Sequence, residues 1–518
     1  MARRPVPRHG RKLKRFTPRR WLPFLAMCAI VALGVVVASR DTTTGRSPTE
    51  APAASKALVP AVAPKGALSS AWFCGGGSAL GANGPAEMTL LIANDDGRGA
   101  VADITVYDDA DGHRSVQVRV PANGRTRVAV PTIRTGTWVA ATVEVRGGRT
   151  VVEREVRGPL GFDAGPCATA AAQEWYVPSG STKRGSEEYL SLFNPFPDSS
   201  SVDISFATET GRRAPRALQS FSVPGRSLRM VRVADTTTDR AQVAATVRTR
   251  SGRIVVDRIQ IHDGTGDPVK GPGADAPTTD APIGLVSTVA SSGSAPRWFF
   301  PGSSLADGTR SRLAVFNPSG GSARVDVVIS YQDPKSNGEP EPIQITVPAR
   351  QTELVDLTDQ SGLMVGVPFT VDVRSLDGVS VVAERVVDTG RPAKRRGATI
   401  TAGSPVAARR WLVAQGGPSS TRSSSVTVAN PGPNAVHLRV VQLTSGTRRP
   451  LAAGTITIPA GDRRQVPVTD AGVAATLEVV ADGPVVVAYG LSETDGLGLA
   501  SALAEPFPES VVALPPTG

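Results

Sequence analysis

Adjacent acid–arginine pairs are the residues of this chain whose types best suit chemistry. The pairs are Glu153-Arg154, Asp257-Arg258 and Glu384-Arg385. Two carboxyl groups that flank a glycosidic bond can hydrolyse it. Each pair, however, lies in an alternating apolar segment typical of a β-strand, where neighbouring side chains point to opposite faces. One copy in each repeated unit also spreads the acids over separate units. We therefore interpret the pairs as ion pairs between strands or as buried structural pairs.

An acidic turn and one tryptophan are weaker candidates for ligand binding. In YDDADGHR, residues 107–114, Asp108, Asp109 and Asp111 could supply oxygen ligands to calcium. The distal glutamate of a calcium loop is absent, so an acidic hairpin turn is the favoured interpretation. Trp138 could be an exposed platform for a sugar ring, although a core position is favoured.

The histidines give no catalytic or metal-binding pattern. His9, His113, His262 and His437 lie at unrelated positions, and no two have the spacing of metal ligands. A Ser-His-Asp set cannot be read from sequence, but no GxSxG elbow is present. We therefore predict no catalytic residues, no metal and no cofactor, and we expect the protein not to be an enzyme.

Charge and hydropathy place the chain at a membrane. Residues 1–20 contain nine Lys and Arg residues and no acid, so they account for nine of the eleven net positive charges. This argues against a nucleic-acid-binding surface on a folded domain. Residues 21–39 are uncharged and long enough to span a bilayer. The positive flank predicts a single-pass protein in the cell membrane, with its N-terminus in the cytoplasm and the remainder outside. A cleaved signal peptide is the alternative.

Two cysteines fall in the part expected to be exported. Cys74 and Cys167 would close a loop of 93 residues (167 − 74). Because the compartment outside the membrane is oxidising, we predict a disulfide between them. Two unpaired buried thiols are the alternative.

Elements that recur along the chain position all of these residues. Tryptophan is followed by asparagine after 22 residues once and after 19 residues three times. The four tryptophans are Trp72, Trp175, Trp298 and Trp411, and the four asparagines are Asn94, Asn194, Asn317 and Asn430. The last three asparagines precede proline, which ends a strand because it cannot donate a ladder hydrogen bond. The chain therefore contains four internal repeats.

Each repeat has the pattern of a small all-β unit. After the asparagine come a turn glycine, a strand ending in Val-Pro or Ile-Pro, and a pair of strands joined by a turn. Six or seven short alternating strands are expected in roughly 90 residues. We predict four tandem immunoglobulin-like antiparallel β-sandwich modules after an N-terminal transmembrane helix. A propeller-like closed array is the alternative.

Composition sets the predicted boundaries. The tandem interpretation divides the chain into a basic cytoplasmic tail (1–20), a transmembrane anchor (21–39), a disordered spacer (40–69), module 1 (70–170), module 2 (171–263), a linker (264–296), module 3 (297–390), a second linker (391–409) and module 4 with a C-terminal strand (410–518).

The repeat resembles that of a known family. The segments EWYVPSGS and RWFFPGSS, the Asn-Pro turn and VVAER resemble a repeat in exported proteins of high-GC Gram-positive bacteria, a family with no assigned biochemical function. The resemblance covers about residues 70–500 and implies a non-catalytic role at the cell surface. Asp95 replaces proline in repeat 1, and Ala488-Tyr489 replaces the acid–arginine pair in repeat 4. These departures argue against a site shared by all repeats.

Two hypotheses for function remain open. The first is a membrane-anchored, extracytoplasmic structural or interaction protein that presents its modules to a cell-wall polysaccharide or an envelope protein. The alternative is an envelope enzyme, or an accessory subunit of one, with its site in the divergent first module. The sequence does not name the ligand, the partner or the oligomeric state.

Overall fold

The computed structural model describes residues 58–267, 281–390, 393, 395–451, 454–469, 475–494 and 496–515. Nearly all regular structure in these ranges is β, and the single α-helix there is the four-residue α1, Pro334–Asn337. Among these residues, no helix has the length and hydropathy needed to cross a bilayer. The predicted tail at 1–20 and anchor at 21–39 lie outside the described residues.

Each of the first two repeats folds into two antiparallel sheets. The strands of repeat 1 are β1 (Ser69–Ala79), β2 (Glu87–Asn94), β3 (Ala100–Asp108), β4 (His113–Val120), β5 (Gly124–Ala129), β6 (Gly136–Arg146), β7 (Thr150–Gly158) and β8 (Gly161–Pro166). Their sheet orders are β4-β3-β6-β1 and β5-β2-β7-β8, joined by one parallel pairing of β1 with β2.

The strands of repeat 2 are β9 (Glu174–Val177), β10 (Ser186–Asn194), β11 (Ser200–Thr208), β12 (Gly211–Arg213), β13 (Phe221–Val223), β14 (Ser227–Arg232), β15 (Val243–Ser251), β16 (Val255–Asp263) and β17 (Ile283–Val289). One sheet has the order β11-β15-β9, with β12 and β13 both paired to the edge of β11 that β15 leaves free. The second sheet has the order β14-β10-β16-β17.

Repeats 3 and 4 follow the same plan. The strands of repeat 3 are β18 (Arg297–Ser303), β19 (Thr309–Phe316), β20 (Ala323–Tyr331), β21 (Ile343–Val347), β22 (Thr352–Asp356), β23 (Phe369–Ser375), β24 (Val382–Thr389) and β25 (Ala398–Ala402), in the orders β18-β23-β20-β21 and β22-β19-β24-β25. The strands of repeat 4 are β26 (Val406–Val413), β27 (Arg422–Ala429), β28 (Val436–Thr444), β29 (Thr447–Pro450), β30 (Ile456–Ile458), β31 (Arg463–Pro467), β32 (Thr476–Glu493), β33 (Leu499–Leu503), β34 (Glu505–Pro506) and β35 (Val511–Ala513). The long β32 pairs with β26 and β28 through its first part and with β27 and β33 through its second.

Alternating side chains explain why these segments form strands. In β20 the buried residues Val325, Val327 and Ile329 alternate with more exposed neighbours. Successive side chains of a strand point to opposite faces, so this pattern buries one face of the sheet. Most buried apolar residues of the two sheets of repeat 3 belong to one cluster, which is its core.

The repeated asparagine forms the same hydrogen bonds in every repeat. In repeat 3, the Asn317 amide nitrogen donates to the carbonyls of Gly321, at 2.7 Å, and Val347, at 3.0 Å. Its side-chain oxygen accepts from the amide of Ser319 at 3.0 Å. The equivalent bonds occur at Asn94, Asn194 and Asn430. One fully buried side chain thus closes the turn after its own strand and ties it to the Val-Pro or Ile-Pro landmark.

The repeated tryptophan is buried in all four cores. The indoles of Trp175 and Trp298 donate to the carbonyls of Ile254 and Val381, which directly precede β16 and β24, and the indole of Trp411 donates to the carbonyl of Val485 within β32. A buried indole N–H normally finds such a partner. The disulfide prediction is confirmed, because Cys74 and Cys167 are bonded, with their Cα atoms 4.8 Å apart.

The last strands of the four repeats contact one another in a closed order. Two of the contacts are hydrogen bonds: the Ser287 amide of β17 donates to Asp163 of β8 at 2.8 Å, and the Ser501 amide of β33 donates to Thr399 of β25 at 3.1 Å. The other two are apolar. Val286 of β17 packs against Ala398 and Ile400 of β25, and Phe162 and Ala164 of β8 share one cluster with Ala500 and Ala502 of β33. A glycine at the start of each strand allows this approach, since a Cβ atom on Gly284 or Gly397 would meet the next strand. The described repeats therefore form a closed cycle of contacts, and we call each contact between successive repeats a seam.

Three predicted boundaries require correction. Strand β17 lies inside the predicted linker 264–296, and β25 lies inside the predicted linker 391–409. Each strand completes the sheet of the preceding repeat by pairing with β16 or β24. In the predicted disordered spacer 40–69, Val59, Val62 and Ala63 are buried, and the amides of Val62 and Ala63 donate to Pro506 and Thr150. The segment at residues 58–69 is ordered because its apolar side chains fill contacts between repeats. Residues 40–57 lie outside the described residues.

We expect Asn317→Ala to lower the free energy of unfolding by about 2–4 kcal/mol, because two carbonyls and one amide lose their partner in a buried turn. Urea denaturation of the purified protein measures this. Ser319→Ala is the matched control, since it removes a more exposed hydroxyl from the same turn and should cost less than about 1 kcal/mol. Equal losses in the two variants would contradict the role assigned to Asn317.

Candidate ligand-binding site

The acid–arginine pairs join neighbouring repeats. Arg154 of repeat 1 contacts Asp257 of repeat 2 at 2.9 Å, and the two side chains are 1% and 0% exposed. Arg258 of repeat 2 contacts Glu384 of repeat 3 at 2.9 Å. We call such an ion pair a clasp. Adjacent residues on a strand point to opposite faces, so Asp257 can face repeat 1 while Arg258 faces repeat 3. The ion pairs predicted from sequence therefore lie between repeats.

Further buried carboxyl groups lie beside these clasps. Burial raises the pKa of Asp163 to about 7, although the carboxylate accepts the amides of Ser287 and Ala164. Burial also raises the pKa of Glu188 to about 8, and nearby Glu384 adds to the rise while Arg258 opposes it. Neither side-chain oxygen of Glu188 has a hydrogen-bond partner among the described residues. Glu188 is therefore largely protonated at neutral pH.

The seam between repeats 4 and 1 uses a neutral donor. Tyr489, which takes the place of arginine, donates its hydroxyl to Glu153 at 2.9 Å, and the Ala414 amide donates to the same carboxyl at 2.7 Å. Burial raises the pKa of Glu153, and burial together with the charge of Glu153 raises the pKa of Glu505 well above its usual range. The two fully buried carboxyls can share a proton, as closely spaced acids do.

The departure at Asp95 belongs to the same seam. Its carboxylate pairs with Arg448 of repeat 4 at 2.6 Å and lies 3.4 Å from Arg410. Arg448 and Arg410 also pair with Glu478. An acid replaces proline where repeat 1 contacts the basic residues of repeat 4.

The seam between repeats 3 and 4 has no clasp. Ala488 stands where repeats 2 and 3 supply Asp257 and Glu384, so Arg385 meets no acid of the next repeat. Arg385 donates instead to the hydroxyl of Ser303 at 2.7 Å, and its Nε has no partner among the described residues. Burial, together with the charge of Arg463, lowers the pKa of Arg385 to about 10.

Arg463 is a second buried arginine at this seam. It donates to the carbonyl of Pro301 at 3.2 Å and reaches the Thr427 hydroxyl at 3.5 Å, while its Nη1 is unpaired. Burial lowers its pKa to about 10 as well. Arg385 and Arg463 are 8% and 4% exposed, and neither forms an ion pair within the described part of the chain.

Both arginines line a cleft of about 1010 Å³ between repeats 3 and 4. Its walls are rich in hydroxyl groups, and its charged lining residues are Arg385, Arg395, Arg463 and Asp307. Hydroxyl-bearing residues on the walls include Ser303, Ser423, Ser425, Thr427, Ser501 and Thr399. A cleft with excess positive charge and many hydroxyls can bind a polar anionic ligand.

The predicted ligand residues occupy other places. Asp108 accepts the amides of Ala110 and Gly112 and pairs with Arg134, while Asp111 pairs with Arg229 of repeat 2 at 2.7 Å. Asp109 is exposed on the same turn. Trp138 is buried against Tyr189 of repeat 2, with ring centroids 5.1 Å apart, so it is not an exposed sugar platform. Of these residues, Asp111 and Trp138 contact repeat 2 at the seam between repeats 1 and 2.

The described histidines are separated from one another. His113 stacks on Tyr107, and His437 contacts Asp482 at 2.9 Å. The Nδ1 atom of His262 lies 2.8 Å from the Ser186 hydroxyl, but both residues are buried, and burial lowers the pKa of this histidine to about 4. No group of three potential metal-ligating side chains occurs in the ranges that the structure covers. His9 lies outside them.

The fold and the cleft define an all-β protein of tandem repeats joined by buried polar seams. The chain belongs to the family of unknown function DUF5719, whose pattern matches residues 151–413. No curated protein matches the chain. Among solved structures, a crystal structure of a tetra-tandem repeat in the extending region of a large adhesion protein aligns with 13% identity, covering 80% of this chain and 98% of that chain. Its TM-score of 0.10 supports no inference about this chain.

Sequence reasoning did not identify the cleft arginines. Arg385 was recognised only as part of a pair, and Arg463 lies in a basic stretch, GDRRQVP, with no feature that marks it. The one sequence feature that points to the cleft is the presence of Ala488 and Tyr489 where the other repeats have an acid and an arginine. It marks the one repeat whose strand cannot complete the clasp with repeat 3.

We expect Arg154→Met to lower the free energy of unfolding by about 3–5 kcal/mol, because Asp257 would stay buried without its counter-charge. Arg154→Met combined with Asp257→Leu should recover most of that loss, because no charge remains buried at the seam. Guanidinium denaturation of both variants and the parent protein gives the comparison. Additive losses in the double variant would show that the pair is not coupled.

Stability should fall as pH rises from 6.5 to 8.5. A carboxyl group whose pKa is raised by folding holds a proton that the unfolded chain has lost, so its contribution disappears as pH rises towards its folded pKa. For Asp163 and Glu188 these values are about 7 and about 8. Thermal unfolding across this range should show a falling midpoint, with a smaller fall in Glu188→Gln. Glu187→Gln is the control, because folding lowers the pKa of Glu187 and leaves it ionised throughout. An unchanged fall in Glu188→Gln would contradict the assignment.

Proposed function

We propose that this protein is a non-catalytic binding protein of the bacterial cell envelope. Residues 21–39 would anchor it in the membrane, and its four repeats, each an immunoglobulin-like sandwich, would lie outside the cytoplasm. The disulfide between Cys74 and Cys167 supports an oxidising compartment. The basic flank at residues 1–20 supports the orientation.

The cleft between repeats 3 and 4 is the proposed binding site. The observation that carries this proposal is the pair of buried arginines, Arg385 and Arg463, that line the cleft without a carboxylate partner. A buried charge without a counter-charge is unfavourable, so its retention points to function rather than stability. The ligand would be a cell-wall polysaccharide or a group on an envelope protein.

Binding by the full-length protein in detergent micelles tests the proposal. Co-sedimentation with cell-wall fractions, and capture of solubilised membrane proteins, should show saturable binding to one defined component. Ser425→Trp should weaken that binding strongly, because Ser425 lines the cleft and an indole there would obstruct it. Ser115→Trp is the control, since Ser115 is exposed on repeat 1, away from the cleft. Binding unaffected by Ser425→Trp would remove the cleft as the site, and binding to neither fraction would overturn the proposal.

A further inference from the structure

The repeated clasp defines what Arg385 is suited to bind. Arg154 and Arg258 each contact one carboxylate, supplied by the same position of the next repeat. Arg385 is the next member of this series, and the corresponding position in repeat 4 is Ala488. Ala488 lines the same cleft as Arg385. The place that a repeat carboxylate occupies at two seams is therefore open to a carboxylate from outside the chain.

Two guanidinium groups strengthen this preference. Arg385 and Arg463 both line the cleft, and neither forms an ion pair with a carboxylate in the described chain. Each guanidinium presents its N–H groups in a planar fork, a geometry that matches the two oxygens of a carboxylate. Arg395 adds a third positive charge to the walls, where Asp307 is the single acidic lining residue. Both charge and geometry favour an anion over a neutral ligand.

The remainder of the cleft favours a polyhydroxylated ligand. The serine and threonine hydroxyls of its walls can donate and accept hydrogen bonds, as the hydroxyls of a sugar can. The cleft volume of about 1010 Å³ is at the upper end of the range for ligand sites, so more than one sugar ring can enter. A ligand with acid groups on a sugar backbone satisfies the arginines and the hydroxyls together.

We infer that the cleft binds an acidic polysaccharide through a sugar carboxylate held by Arg385 and Arg463. This inference rests on the proposed function and names its ligand class. It also assigns a role to Ala488, whose small side chain leaves Arg385 accessible from the cleft. Phosphate-bearing polymers share the negative charge, so the test includes them as a separate arm.

Ala488→Glu is the decisive variant. The new carboxylate would stand where Asp257 and Glu384 stand at the other seams and would pair with Arg385. We expect the affinity for a trigalacturonic acid probe, measured by calorimetry on the full-length protein in micelles, to fall about tenfold or more. The thermal midpoint should rise, because a buried charge gains a partner, and this excludes unfolding as the cause. Ala488→Gln has nearly the same volume without the charge and should bind the probe within about threefold of the parent protein.

Neutral maltotriose and a glycerol phosphate oligomer complete the design. The inference is supported if trigalacturonic acid binds, maltotriose does not, and Ala488→Glu alone loses binding. Preference for the glycerol phosphate oligomer would overturn the carboxylate assignment, and so would equal binding by Ala488→Glu. Either result would leave the proposed function standing if wall binding remains sensitive to Ser425→Trp. If the parent protein does not bind cell-wall fractions at all, both the proposed function and the inferred ligand class are overturned.

Discussion

An arginine that crosses to the carboxylate of the next repeat is the interaction on which the arrangement of this protein depends. Its contribution to stability alone is modest, because removing two charges from water offsets much of their attraction. Its larger effect is on specificity. Arg154 with Asp257, and Arg258 with Glu384, match one repeat to its successor. Apolar seams of similar size could slide, whereas a buried charge disfavours any position in which it loses its partner.

A change of two adjacent residues in repeat 4 alters both of its seams. Ala488 leaves Arg385 of repeat 3 without an acid, and Tyr489 gives Glu153 of repeat 1 a neutral donor. Towards repeat 3 the result is a polar cleft with surplus positive charge. Towards repeat 1 the result is a contact in which Glu153 and Glu505 are both fully buried. The proposed binding cleft thus lies at the repeat that lacks the acid–arginine pair.

Sequence patterns gave the all-β class and the disulfide, and both are confirmed. They are local or compositional properties: alternation along strands such as β20, and two cysteines in an exported segment. The sequence does not predict the closed cycle of contacts, because partners such as Asp95 and Arg448 are brought together by packing angles between repeats that period-two alternation does not encode. The sequence predicts a linker where strand β17 lies, because Gly, Pro and Thr are abundant in the residues that precede it. Trp138 has no counterpart in the other repeats, so nothing in the sequence predicted that Tyr189 would cover it.

Closure of the cycle changes how the protein would respond to mechanical tension. In a string of separate modules, each one would yield independently under load. Here Arg448 and Asp95 connect residues 353 positions apart, and Tyr489 and Glu153 connect residues 336 positions apart. Tension applied along the chain is therefore borne by the seam between repeats 4 and 1 before it reaches the repeats that this seam encloses. Until the seam parts, the length of chain between these residues is shielded from the load.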